Sequence, residues 1–232
     1  SSFNNKLTVI EGESPDQYKT VTVALGARGI AIDSKGNAWL SQQSNSPTGA
    51  LPAGAVMPPG TPNPPQQPKT IMEEFEAGAA FAAVNPNLQT LGNLALISPD
   101  LDIIQNGIAG EVAFVPWGVS IDGNDNVWVG NLYGQSLIHI CGTDPSKCPE
   151  GKTTGDVIHN YQSGVIQVTT DVVVDDAGNL WSANNWFDAD VVINKSYNAR
   201  TSTFPGGQGL VVTYGVAAPV QNPLMGAVRR AL

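Results

Sequence analysis

Apolar and polar positions alternate along this chain in one pattern that returns three times. The stretches are "GIAIDSKGNAWLS" at 29–41, "GVSIDGNDNVWVG" at 118–130 and "DVVVDDAGNLWSA" at 171–183. Each is a short apolar run rich in β-branched residues, an Asp, a polar turn ending in Asn, and a Trp early in a second apolar run. Asp33, Asp122 and Asp175 align, as do Asn37, Asn126 and Asn179, and Trp39, Trp128 and Trp181. A strand, a turn and a strand make a hairpin. Gly36, Asp125 and Gly178 fall where a left-handed turn residue is expected. A hairpin that recurs at intervals marks a repeat architecture.

The intervals define the unit. Asp175 stands 53 positions after Asp122, and Asp122 stands 89 after Asp33. A four-stranded propeller blade needs roughly 40–50 residues. The shorter interval is one blade. The longer is read as one blade with an insertion, because residues 44–70 are dense in Pro and Gly and unsuited to a central strand. Residues 71–84, "IMEEFEAGAAFAAV", read as a short helix. Outer strand pairs follow each hairpin: "GNLALISPD" with "LDIIQNG", "QSLIHICG" with "GDVIHNYQ", and "DVVINKS" with "GLVVTYG".

The expected fold is all-β: a β-propeller of four-stranded blades, with about three and a half blades in residues 1–218. The Pro-rich and helical insertion, 44–92, lies between the second and third strands of a blade. Residues 219–232 form a tail. The N-terminal stretch aligns with a third strand (Leu7 with Leu137, Ile10 with Ile140, Gly12 with Gly142). Lys6–Ile10 is therefore expected to pair with a strand from outside the chain, from an N-terminal propeller half or another subunit. The chain then reads as the C-terminal part of a larger ring. The rival is a small ring whose fourth blade is the insertion.

"PWGVSIDGNDNVWVGN" resembles the repeat of bacterial NHL-type propellers, including those grouped with streptogramin (virginiamycin B) lyase. "CGTDPSKCPEGKTTGD" together with "GLVVTYGVAAPVQNPLMG" resembles the C-terminal half of secreted bacterial propeller proteins. The resemblance spans the chain apart from 44–92. It implies a secreted or periplasmic protein. Lyase chemistry in that family calls for channel-facing His and Glu. Here the two histidines, His139 and His159, fall on outer strands three and four.

Composition narrows the partners. The chain has 232 residues, a formal net charge of −9 and 13% charged residues, with 25 Gly and 17 Pro. An acidic chain suits neither nucleic acid nor an anionic membrane surface. No apolar run is long enough for a membrane span. Cys141 and Cys148, in "CGTDPSKC", are read as a disulfide closing a small loop, against the alternative of two free thiols. A disulfide implies an oxidising compartment.

Ligands of a propeller are expected where strand two runs into strand three and where one blade passes to the next. That face collects Arg28, Gln42, Glu111, Trp117, Asn131, Tyr133, Thr170, Asn184, Asn185, Trp186, Asp188 and Asp190. Arg28, Trp117, Asn131, Tyr133, Asn184 and Trp186 are the ligand-binding candidates. Gln42, Asn131 and Asn184 each stand three residues after a repeat Trp, and a ring of amide oxygens suits a hard cation such as Ca²⁺. Asn131, Asn184, Asp188 and Asp190 are the metal candidates, as in regucalcin-like lactonases. Asn at a strand end also simply caps turns. "DGNDN" at 122–126 is not an EF-hand: it lacks the sixth-place Gly and has Tyr133 in the twelfth place. No nucleophile elbow, phosphate loop, dinucleotide fingerprint or His-rich zinc motif occurs. Two function classes remain: a ligand- or protein-binding scaffold, and a metal-dependent hydrolase, lactonase or lyase at the channel mouth.

Overall fold

The computed structural model describes residues 5–10, 12, 16–24, 26–43, 54–62, 80–81, 84–85, 91–163, 165–166, 168–185 and 208–220. Thirteen strands in these residues form four antiparallel sheets. The first holds β1 (Lys6–Ile10) and β2 (Tyr18–Thr22). The second holds β3 (Ala27–Ile32), β4 (Ala38–Gln42), β5 (Asn93–Ile97) and β6 (Ile103–Ile108), side by side in that order. The third repeats this with β7 (Pro116–Ile121), β8 (Val127–Asn131), β9 (Ser136–Ile140) and β10 (Val157–Gln162). The fourth holds β11 (Thr169–Val174), β12 (Leu180–Asn185) and β13 (Gln208–Thr213).

The three repeat hairpins are β3–β4, β7–β8 and β11–β12. Their first strands are neighbours in space, β3 against β7 and β7 against β11. They form the inner row of a propeller, with later strands stacked outward. The turns take the backbone expected of them: φ is 82° at Gly36, 61° at Asp125 and 79° at Gly178.

In the second and third sheets, strands two and three are buried on both faces, and alternate residues feed opposite seams. On β4, Ala38 and Leu40 face the first seam with Val23, Ala27, Ala95 and Ile97, where Leu7 and Val21 also pack. Trp39 faces the second seam with Leu94, Leu96, Val127, Val129, Ile138 and Ile140. Trp128 faces the third seam with Leu137, Val172, Val174, Leu180 and Ala217. The repeat Trp thus fills the seam ahead of its own blade. Trp181 is the exception. Trp39 and Trp128 are 0% exposed and Trp181 is 40% exposed, because among the described residues no sheet stands ahead of the fourth.

One strand assignment changes. "GLVVTYG" was expected in fourth place behind "DVVINKS", but β13 pairs directly with β12, Leu180 with Thr213 through Asn185 with Gln208. It is the third strand. Gly215 N donates to Asn179 Oδ1 as Gly142 N does to Asn126 Oδ1, so "TYG" after β13 matches "ICG" after β9. "DVVINKS" lies outside the described residues. The stretch 186–207 therefore connects strand two to strand three, as 43–92 does between β4 and β5. Of the stretch expected to be helical, Ala80, Phe81 and Val84 are described, and all three have helical backbone.

Candidate functional site

The register slips once in every inner strand, at the same place: between Ala27 and Ile30, between Pro116 and Val119, and between Thr169 and Asp171. Such bulges re-aim side chains. The residues inside them are Arg28 with Gly29, Trp117 with Gly118, and Thr170. Three residues singled out by sequence thus share one structural position in successive blades.

The bulges approach closely. Ser41 Oγ donates to Trp117 O, and Gly29 N donates to Ser41 Oγ at 2.8 Å. A Cβ on Gly29 would lie 2.2 Å from Trp117 O, and one on Gly118 would lie 2.8 Å from Asp171 Cα. Only hydrogen fits there. This proximity carries Arg28 across the seam, with its guanidinium carbon 4.3 Å from the centroid of the Trp117 ring. Such a cation–π contact gains strength as water is excluded. Arg28 Nε also donates to Gln43 Oε1 at 3.3 Å. Gln43 Nε2 is buried and has no acceptor among the described residues. Sequence reading passed over Gln43, whose only signal is its place just after the amide position of its strand.

The amide row is engaged elsewhere. Gln42 Oε1 accepts from Ala24 N at 2.6 Å, and its Nε2 donates to Asn93 Oδ1 and Asn106 Oδ1. Asn131 Oδ1 accepts from Phe114 N at 2.7 Å, and its Nδ2 donates to Val112 O and Ser136 Oγ. Asn184 Oδ1 accepts from Thr169 Oγ1 at 3.2 Å, and its Nδ2 donates to Val165 O. Each amide ties its strand end to the connection entering the same blade. Tyr133 is buried, its ring 5.7 Å from Phe114. Trp186, Asp188 and Asp190 lie outside the described residues. Among the described residues no three of His, Cys, Asp and Glu stand together as a metal-ligand group.

The histidines lie away from this row, paired across β9 and β10. His139 stacks on Trp128 with centroids 3.9 Å apart, and His159 meets Tyr161 edge-on. Burial, with a smaller push from the neighbouring His159, drives the His139 pKa down to about 4 against the opposing pull of Asp122.

Cys141 and Cys148 form a disulfide. Its loop is a clasp. Thr143 Oγ1 donates to Asp33 Oδ2 at 3.0 Å and Lys35 Nζ to Thr143 O at 2.6 Å, tying the second sheet to the third. Among the described residues no helix is long and apolar enough to cross a membrane.

No family model matches the chain, and no curated protein matches it either. Solved structures do. The chain is similar to a catalytically inactive virginiamycin B lyase from Staphylococcus aureus with quinupristin, at 12% identity and a TM-score of 0.45, over 78% of this chain and 44% of that one. It is similar to a gluconolactonase from Xanthomonas campestris, at 13% identity and a TM-score of 0.43, over 75% and 48%. It is also similar to a luciferin-regenerating enzyme, at 14% identity and a TM-score of 0.42, over 89% and 52%. The chain spans about half the length of these structures. By its own repeat, sheet order and seams, the chain is part of an all-β propeller.

Proposed function

We propose that this chain is an extracytoplasmic propeller scaffold that binds a carboxylate-bearing ligand at the bulge row. The observation that carries the proposal is Arg28 lying over Trp117 beside Gln43 Nε2, which has no acceptor among the described residues. A guanidinium backed by an aromatic face, with an amide donor next to it, recognises a planar anion. Buried donors without acceptors are rare in folded proteins and often mark a site of use. The disulfide supports an oxidising, secreted or periplasmic setting. A Ca²⁺-dependent hydrolase has less support, since the oxygens of Gln42, Asn131 and Asn184 already accept protein hydrogens.

The test is calorimetric titration of the chain with benzoate and glucuronate, against benzyl alcohol as the neutral control. Both carboxylates are expected to bind, with affinity reduced about tenfold or more in Arg28→Gln, the loss of one charge-assisted contact. Absence of binding by the unaltered chain, or Ca²⁺-dependent turnover of a lactone, overturns the proposal.

A further inference from the structure

The first seam is half built. In the second seam, Trp39 of the preceding sheet packs in the cluster that holds Val119 and Ile121 of β7. In the third, Trp128 does the same for Val172 and Val174 of β11, which are 2% and 8% exposed. The matching residues on β3 are Ile30 and Ile32, and they are 48% and 52% exposed. Farther out, the same seam is covered: Leu7 of β1 and Val21 of β2 pack on the cluster of Leu40, Ala95 and Ile97. The outer half has its cover, and among the described residues the inner half has none.

The topology says what the cover is. In both complete sheets, strand two runs into strand three and pairs with it, β4 with β5 and β8 with β9. β1 and β2 hold the outer pair of places, and among the described residues β1 pairs with β2 alone. We propose that the inner half of the first seam is a docking site for a β-hairpin of this chain's own repeat type. Its first strand lies beside β3. Its turn carries an Asp followed four residues later by an Asn. Its second strand pairs with β1 and lays a Trp over Ile30 and Ile32. The surface continues a seam already formed, and the two interior seams are its template. The hairpin β11–β12 of a second copy also offers an uncovered Trp, Trp181. But β12 is bonded to β13, which would take the place β1 occupies.

The experiment extends the full chain at its N-terminus with a copy of its own hairpin, residues 116–131, joined through its own connection 132–135. Amide exchange at Lys6–Ile10 is expected to slow about tenfold or more relative to the unextended chain, as exposed edge amides gain partners. An Ile32→Cys variant is expected to alkylate readily in the unextended chain and slowly in the extended one. A hairpin whose Trp is replaced by Ala is expected to protect neither. Unchanged exchange and alkylation on extension overturn the proposal. So does an unextended chain that is a dimer in solution and becomes monomeric on Ile30→Lys with Ile32→Lys, because a second copy would then be the cover. Carboxylate binding is read separately, and neither result depends on the other.

Discussion

The indole Nε1 of Trp39 donates to Oδ2 of Asp33 at 3.2 Å, across a four-residue turn that the same carboxylate organises. Asp33 Oδ1 accepts from Lys35 N and Asn37 N, and Asn37 Nδ2 reaches both oxygens. The relationship recurs: Trp128 to Asp122 at 3.1 Å, and Trp181 to Asp175 at 2.8 Å. The Asp is therefore a clamp that fixes its own hairpin and orients the Trp that fills the seam ahead. In the first two copies the clamp also reaches the next sheet, since Thr143 donates to Asp33 and Ala218 N donates to Asp122 at 3.3 Å.

Breaking the central clamp is expected to be costly. Asp122 is buried and accepts from Asn124 N, Asn126 N, Trp128 Nε1 and Ala218 N. Asp122→Ala leaves these donors without acceptors and should destabilise by about 3 kcal/mol or more. Trp181→Phe, at the uncovered end, should cost under about 1 kcal/mol. Urea denaturation of both variants checks the contrast.

Acid should weaken the fold in two windows. Hydrogen bonds from Trp181 and Asn179 lower the Asp175 pKa to about 2. Burial pushes the Asp33 pKa up, but bonds from Asn37, Thr143 and Trp39 outweigh it and the net shift is downward. A carboxylate with a lowered folded pKa contributes stability that is lost as pH falls from its unfolded value toward the folded one. For Asp175 that window runs from its ordinary value of 3.8 down to about 2. His139 behaves alike for a different reason: buried and neutral, it contributes stability that is lost as pH falls from 6.5 to about 4. Thermal transitions from pH 7 to 2 should show both windows, and His139→Gln should remove the upper one.

Reduction should loosen the second seam as well as the disulfide loop. Opening Cys141–Cys148 should add about two hydrogens to the intact mass and cost about 2–3 kcal/mol by the chain-entropy model. It should also raise amide exchange around Asp33 and Lys35, which the loop holds through Thr143. Mass spectrometry and exchange measurements with and without reductant check it.

The bulge row tolerates no side chain at Gly118. Gly118→Ala would push its methyl into the Asp171 backbone and the Thr170 carbonyl of the next sheet. A loss of about 2 kcal/mol or more is expected. An equal change at Gly151, where nothing lies within 4 Å but φ is 80°, should cost about 1 kcal/mol from backbone strain alone. Calorimetric melting of the two variants separates packing from conformation.

The sequence by itself determined the hairpins, because Asp33, Asn37 and Trp39 and their copies meet within seven residues and their bonds need no partner from elsewhere. From these the repeat, the propeller and the inner row were legible. So was the common position of Gln42, Asn131 and Asn184. Only the tertiary structure decided what those amides do, since Ala24, Phe114 and Val165 arrive from connections that the fold brings to the strand ends. It also decided which apolar run stands beside β12. "DVVINKS" and "GLVVTYG" both read as strands, and pairing across a long connection leaves no local trace. Arg28 and Trp117 lie far apart along the chain, and their contact exists because two bulges with glycines at their closest approach bring neighbouring inner strands together. The exposure of Trp181 beside its buried copies follows from its place in the last of the described sheets, which the repeated local pattern cannot encode.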